Sequence, residues 1–466
     1  MTTPTTPPTP RTSQIDQLFA EWDRWDSPGV ALAILQEGAL VYKRGYGCAN
    51  LEYRIPITPT TIFHVASVSK QFTAAAIVLL AQQGKLGLDD DIRQHLPYLP
   101  DFGQTITIRH LAHHTSGLRD QWELLTMAGV RLDDVITQEH IIKMVKAQRE
   151  LNFAPGEQYL YCNTGYTLMA EIVKAVSGQS FPEFTDSQFF KPLGMVHTHF
   201  HDDHEMIVPN RAYSYAADEK AGFKKRVLSY ANAGATSLFT TVEDLMRWIQ
   251  NFADGRIGGK PFVDQMQQQA ILNSGETIDY AFGLSVRKYR GLTMIGHSGG
   301  DAGFRSHLVR FPEQNFAVVI LSNLASMLPG ELCLRVADLY LAEQLGPNAT
   351  PVVTGEIAAG VQPAPPTLSA AQLAAYAGDY TSPELGTIYT MVVQDDKLLI
   401  QHRRHSDIVL TPTAEHQFTS ERWWVNQVVF TQDATGDTTG FALSGGRVKH
   451  LQFEKTQPTG ALYKKA

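Results

Sequence analysis

Residues 63–80 read FHVASVSKQFTAAAIVLL, and the fold turns on how Ser67 and Lys70 sit in that stretch. From Gln71 to Gln83 the chain is rich in alanine and other helix formers, and Gly84 follows as a stop signal, so a helix over 71–83 is predicted. Ser67 and Lys70 are three positions apart at its start, which puts both side chains on one face. A serine hydroxyl is a weak nucleophile at its ordinary pKa and needs an adjacent base. A lysine serves once desolvation or neighbouring cations hold it neutral. The start of a helix also leaves backbone N–H groups free to hold an oxyanion. The bare pattern S-x-x-K is common, with roughly one or two chance matches in a chain this long. Ser285 and Lys288 match it too, but in a strand-like stretch where positions three apart face opposite ways.

Outward from this point, residues 14–25 have helical spacing of Ile15, Leu18, Phe19 and Trp22, and the following stretch to Asn50 reads as a hairpin turning at Glu37-Gly38. Residues 105–260 alternate helical segments with Pro/Gly loops, and 280–323 reads as strands again, followed by a helix over 332–344. Next comes GPNATPVVTGEIAAGVQPAPPT, a Pro-, Ala-, Gly- and Thr-rich stretch taken as a linker, 347–366. Beyond it, 367–460 carries short alternating runs such as TIYTMVVQ, KLLIQH and HLQFEK, the pattern of a small all-β barrel. Residues 1–13, mostly Thr and Pro, are expected as a disordered tail, which leaves 14–346 as the main domain.

The whole chain, 466 residues with 43% apolar and 18% charged residues, has ordinary globular composition. A net charge of -8 gives no electrostatic reason to expect nucleic acid. The short basic cluster His402, Arg403, Arg404, His405 is taken as a solvated strand edge. Three widely spaced cysteines (Cys48, Cys162, Cys333) form neither a disulfide framework nor a zinc pattern. No apolar run approaches a membrane span and no signal-peptide core is visible, so a cytoplasmic protein without a membrane partner is expected.

Several motifs now line up: TTIFHVASVSKQFTAAAIVLLAQQGKLGLDDDIRQHLP (60–97), ITIRHLAHHTSGL (106–118), FAPGEQYLYCNTGY (153–166), PLGM, GATSLFTTVEDLMRW (234–248) and GHSGGDAGF (296–304). Together they resemble the penicillin-binding-protein and class C β-lactamase superfamily of serine hydrolases. They are most similar to its β-lactamase-related esterase and D-aminopeptidase branch, over about residues 25–345. The resemblance implies an α/β (α+β) fold: a β-lactamase/transpeptidase-like antiparallel sheet flanked by helices with a helical subdomain, and an active site at their junction. The C-terminal segment resembles, more loosely, the lipocalin-like small antiparallel β-barrel appended to some peptidases of this superfamily.

The same resemblance implies the roles. Ser67 matches the acylated serine and Lys70 its helical partner. Tyr161 and Asn163 match a Y-x-N element, Tyr161 passing a proton to the leaving group and Asn163 holding the substrate amide. Whether Lys70 or Tyr161 is the acylation base stays open. His297-Ser298-Gly299 stands where many relatives carry Lys-Thr-Gly on an edge strand, and the N–H of Gly300 would complete the oxyanion hole with that of Ser67. Histidine in place of lysine argues against strong β-lactamase or carboxypeptidase activity, because a largely neutral side chain replaces a permanent cation.

Three decoys compete. Tyr230–Asn232 repeats Y-x-N without the preceding F-x-P-G of Phe153, Pro155 and Gly156. Gly296–Gly300 fits the G-x-S-x-G nucleophile elbow, which requires a helix after the serine, whereas a strand pattern follows here. His199-Phe200-His201-Asp202-Asp203-His204 fits a metal signature, H-x-H-x-D-H, but is expected as a solvated loop, so neither metal nor cofactor is called for. The function expected is a serine hydrolase that forms an acyl-enzyme on an ester or amide: a peptide, a D-amino-acid amide or a β-lactam-like compound. Two alternatives are a non-catalytic penicillin-binding-like binding protein and a metal-dependent hydrolase using the 199–204 loop. The partner is a small-molecule or peptide substrate, and a homo-oligomer is left open.

Overall fold

In a computed structural model the structure describes residues 10–347, 366 and 368–456. Helix α1 (Pro10–Phe19) opens the chain and buries Thr12, Ile15 and Phe19. It begins within the stretch expected as a tail, because proline is already shaped for the first turn of a helix and Ile15 and Phe19 have a sheet to pack on. Strands β1 (Val30–Gln36) and β2 (Ala39–Tyr46) form the hairpin. Its turn has φ of 53° at Glu37 and 77° at Gly38, the twist that suits a two-residue hairpin. Helix α2 (Lys70–Gln82) follows a 3-10 turn, Ala66–Ser69. Further on come α3 (Gln121–Met127), α4 (Asn163–Ser177) and α5 (Val242–Asp254).

Strands β3 (Ser285–Tyr289), β4 (Leu292–Asp301), β5 (Phe304–Phe311) and β6 (Phe316–Ser322) return the chain to the hairpin, and α6 (Pro329–Leu341) closes this part. The six strands make one antiparallel sheet in the order β3-β4-β5-β6-β1-β2. Successive side chains of a strand alternate faces, and both faces here are apolar. Val30, Leu32, Ile34, Val318 and Ile320 pack with α1 and α6. Ala31, Ala33, Leu35, Val319 and Leu321 pack with α2, α4 and α5 in the largest core. Covering on both sides explains why β1 and β6 read as unbroken apolar runs.

A closed eight-stranded antiparallel barrel follows. Its strands are β7 (Gly378–Ser382), β8 (Thr387–Gln394), β9 (Lys397–Gln401), β10 (Ile408–Ala414), β11 (Gln417–Thr419), β12 (Gln427–Gln432), β13 (Thr438–Ser444) and β14 (Leu451–Lys455). Tyr380, Tyr389, Phe418, Phe441 and Phe453, all fully or nearly fully buried, fill the interior, so the barrel is a packed core. Most of the expected linker, residues 1–9 and residues 457–466 lie outside the described residues.

The barrel docks on the helical part near α3. Leu124 and Met127 of α3 join the barrel's own core, and Tyr389 donates to the Met127 carbonyl at 2.7 Å. The buried Arg119 guanidinium meets the buried Glu384 carboxylate at 2.6 Å. The 402–405 cluster, expected as a solvated edge, is divided: Arg403 and Arg404 are exposed, Arg404 pairing with Asp134, while His402 is buried and bonded to Thr387 and His405 donates to the Thr126 carbonyl. A short basic run cannot reveal from sequence that another element covers it.

Candidate functional site

Ser67 sits on the 3-10 turn that feeds α2, held there by Ala66 with φ of 48°. The left-handed conformation costs a non-glycine residue on the order of 1 kcal/mol, and it sets Ser67 beside the adjacent strand, the second from the sheet's edge and not the edge strand expected. That strand is β4, which approaches because residue 299 is glycine. A Cβ on Gly299 would lie 2.2 Å from the Val65 carbonyl oxygen and 3.0 Å from the Ser67 nitrogen. Gly300 is thereby placed beside the Ser67 turn, and both residues line one cleft of about 330 Å³. The other lining residues are Trp122, Tyr161, Asn163, His297, Ser298, Gly299, Asp301 and Arg447.

Lys70 lies beneath Ser67, fully buried. Its Nζ is 3.1 Å from Ser67 Oγ, 2.8 Å from Asn163 Oδ1 and 2.7 Å from the Ala235 carbonyl oxygen. Burial disfavours the ammonium and outweighs the attraction of Asp301 and Asp120, so the Lys70 pKa is pushed down to about 7. A substantial neutral fraction at physiological pH follows, with a lone pair facing the serine.

Tyr161 precedes α4. Its backbone is held by His114, whose Nδ1 accepts from the Cys162 N–H at 3.0 Å and whose carbonyl accepts from the Leu160 N–H at 2.9 Å. The phenol is buried and its oxygen has no well-formed hydrogen bond, although it lies close enough to Ser67 for that hydroxyl to favour its ionised form. Desolvation wins and holds its pKa well above 10. The Arg447 guanidinium, brought by the barrel loop between β13 and β14, covers the Tyr161 ring at 4.9 Å.

Asn163 has partners that the sequence did not reveal. Its Oδ1 accepts from Lys70, while its Nδ2 donates to Asp120 Oδ2 at 2.8 Å. Asp120 also accepts from the Asn163 backbone N–H at 2.7 Å and caps α3 through Trp122 N. Its Oδ1 and one of its two Nδ2 hydrogens are thus committed to the protein and orient Lys70, while the second Nδ2 hydrogen has no acceptor among the described residues and Asn163 lines the cleft.

His297 differs from the sequence expectation. Its Nδ1 is 2.6 Å from the Ser298 carbonyl oxygen and its Nε2 is 2.9 Å from the Tyr280 hydroxyl. Desolvation drives its pKa down to about 3. The neutral ring therefore donates from Nδ1 and accepts the Tyr280 proton at Nε2. Expected as a catalytic group, it is a wall residue that fixes β4. Ser298 lies in the middle of β4 with a turn and then β5 after it, so the elbow reading is overturned: no helix follows the serine.

The histidine loop is divided. His199 and Phe200 form a short strand, with Phe200 in the core, while Asp202, Asp203 and His204 line a separate cavity of about 400 Å³. Among the described residues no three His, Cys, Asp or Glu side chains converge to hold a metal ion. The described cysteines are free and buried, and no described helix is long and apolar enough to cross a membrane. Sequence reasoning did not single out Asp120, Trp122, His114, Tyr280, Asp301 or Arg447. The HHTSG and GHSGGDAGF runs flagged the neighbourhoods of His114 and Asp301; nothing in the barrel sequence flagged Arg447.

Comparison with known proteins agrees with this architecture. The Beta-lactamase family model matches residues 15–341. A D-aminopeptidase of Gluconobacter oxydans (strain 621H) is 28% identical over 300 residues, covering 64% of this chain and 56% of that protein. Penicillin-binding protein 4* of Bacillus subtilis (strain 168) is 30% identical over 317 residues, 63% of this chain and 68% of the relative. The match therefore spans little more than half of the first of these relatives and about two thirds of the second. Among solved structures, the octameric penicillin-binding protein homologue from Pyrococcus abyssi superposes with a TM-score of 0.63 at 23% identity, covering 95% of this chain and all of that one. The D-amino acid amidase from Ochrobactrum anthropi SV3 complexed with L-phenylalanine amide gives 0.61 at 24% identity, over 72% of this chain and 99% of the amidase. These structural likenesses carry the fold.

Proposed function

The chain belongs to the beta-lactamase family, and from that premise we propose that it is a serine hydrolase that cleaves an ester or amide through an acyl-enzyme on Ser67. The observation that carries the reading is the buried Lys70 amine, 3.1 Å from Ser67 Oγ with its pKa pushed down to about 7. A lysine in that state accepts the serine proton as the hydroxyl attacks the carbonyl carbon. Tyr161 is held as a phenol, so Lys70 is the acylation base and Tyr161 hands a proton to the departing oxygen or nitrogen. The backbone N–H groups of Ser67 and Gly300 hold the developing oxyanion, and Ser298 and Gly299 form the floor along which substrate lies. Water then attacks the acyl-enzyme by the reverse proton path. The D-aminopeptidase and D-amino acid amidase among the similar proteins support an amide or peptide substrate of small size.

The test is intact-protein mass spectrometry after exposure to a fluorophosphonate, with wild type, Ser67→Ala and Ser298→Ala in parallel. Wild type and Ser298→Ala gain one phosphonyl mass and Ser67→Ala gains none. An unlabelled wild type, or one labelled on Ser298, overturns the assignment and returns the binding-protein alternative to first place.

A further inference from the structure

Among the described residues two arginines are buried, Arg119 and Arg310, and their surroundings differ. Arg119 meets the Glu384 carboxylate and the Lys449 carbonyl oxygen. Arg310, only 6% exposed, has no ion pair, and its guanidinium has no hydrogen bond to any described residue. Its Nη2 is sealed from water without an acceptor. Its Cζ lies 4.4 Å from the centre of the Phe252 ring, which steadies a cation but supplies no counter-charge. Burial lowers the Arg310 pKa to about 10, so the group stays charged at neutral pH. The exposed Glu313 attracts it through space and forms no ion pair with it. A buried charge left in this state calls for an ion or another partner.

Three strands and a helix build the place. Leu35 of β1, Ala317 of β6 and Arg310 of β5 stand opposite one another in a row. Residues paired across antiparallel strands share a face. Ile249, Phe252 and Ala253, three and four positions apart on α5, line the same space from the helix side. With a small alanine in the middle of the row, a hollow of about 80 Å³ is left, and Arg310 lines it. The hollow is separate from the catalytic cleft. Ser306, whose hydroxyl donates to the Val65 carbonyl beside the Ser67 turn, is four residues back along β5, about 13 Å away.

Size and lining select the ligand. A water-sized group takes about 10–15 Å³ of such space, so the hollow holds about five to eight of them. A carboxylate with a few further carbons has that number of atoms. With Nη2 out of reach, Nε and Nη1 are the donors a carboxylate meets, and Leu35, Ile249 and Ala317 give its tail an apolar wall. Inorganic phosphate would press unpaired oxygens against the same wall. We propose that the Arg310 hollow is a binding site for a small carboxylate with a short apolar tail, outside the catalytic cleft and independent of the acyl-enzyme reading. The bound carboxylate supplies the counter-charge that the fold leaves out, and so stabilises the folded chain.

The experiment titrates the full chain with sodium butyrate by calorimetry and follows thermal unfolding in sodium butyrate, sodium phosphate and sodium chloride at equal ionic strength and pH. One butyrate binds per chain, and butyrate raises the unfolding midpoint by about 2–4 °C over chloride. Arg310→Met weakens butyrate binding about tenfold or more. Ala253→Phe fills the hollow from the exposed face of α5 and leaves the guanidinium in place, so it also abolishes binding and keeps the test alive should Arg310→Met not fold. No binding to wild type overturns the inference. Equal midpoints in chloride and butyrate reduce the effect to charge screening and overturn it too. Phosphate binding in the place of butyrate overturns the ligand class, and butyrate binding kept by both variants overturns the location.

Discussion

Two tetrads in this chain spell S-x-x-K, and only one of them is a site. Ser67 and Lys70 span a 3-10 turn and the start of α2, and their side chains meet at 3.1 Å. Ser285 and Lys288 lie on β3, where a separation of three sends the side chains to opposite faces. Lys288 is exposed and bonds to Thr293 Oγ1 at 2.8 Å across to β4. The Y-x-N pairs divide in the same way. Asn163 is clamped between Lys70 and Asp120, whereas the buried amide of Asn232 has no partner among the described residues and Tyr230 stacks on Trp122. The spacing of residue types is therefore only permissive. Backbone conformation decides whether the groups meet, and burial decides whether the lysine becomes a base.

The largest effect should separate the two lysines. Lys70→Met is expected to lower kcat/KM on an amino-acid p-nitroanilide by about 10³-fold or more, the range of a lost general base. Lys288→Met should change it by no more than about twofold, as for an ordinary surface substitution. Steady-state kinetics on both variants, with circular dichroism to confirm folding, would break the comparison if the two losses were alike.

The barrel contributes Arg447 to the cleft above the first lysine, and the Arg119–Glu384 pair ties the barrel to the helical part. Glu384→Gln removes the buried counter-charge of Arg119 and leaves only the exposed Glu150 at 3.5 Å, so the cost approaches the roughly 3–5 kcal/mol of breaking a buried pair. A lower midpoint of thermal or denaturant unfolding is the readout; an unchanged midpoint would mean that the docking surface rests on its other contacts, such as Tyr389 with Met127 and His405 with Thr126.

The smallest effect is a shift in a pH profile. Lys70 is an effective base only when deprotonated, and its pKa lies at about 7. The kcat/KM should therefore fall about tenfold per pH unit below that value and level off above it. The positive charge of Arg447 disfavours the Lys70 ammonium. Arg447→Met removes that repulsion, raises the Lys70 pKa and moves the acid limb to higher pH. A limb that stays in place, or moves to lower pH, would dissociate the barrel from the electrostatics of the site.

Much of the fold was legible because its cues are local. Glu37-Gly38 is a hairpin turn wherever it stands between two apolar runs, and the unbroken run Phe316–Leu321 is strand-sized. Boundaries slipped where packing extends an element beyond its pattern. Helix α1 starts at Pro10 because Thr12 and Ile15 have a sheet to cover, and α6 starts at Pro329, three residues before its apolar spacing suggests. In the site, Ser67, Lys70, Tyr161 and Gly300 were all placed beforehand at positions that line or underlie one cleft. His297 and Asn163 line the same cleft; hydrogen bonds occupy both ring nitrogens of His297, and those of Asn163 add the task of orienting Lys70, which no spacing could show.

The sequence alone determined the serine–lysine pair, the alternating strands and the appended barrel, because each depends on residues close in the chain and on periodicities of two or of three to four. The tertiary structure alone decided what surrounds the pair. Lys70 meets Asn163 across 93 positions, His64 meets Asp301 across 237, and Arg447 comes from another domain to lie over Tyr161. A basic or acidic side chain has the same letter whether it faces water or a sealed cleft. Its pKa and its partners are set by desolvation and by distances that exist only once the chain has closed.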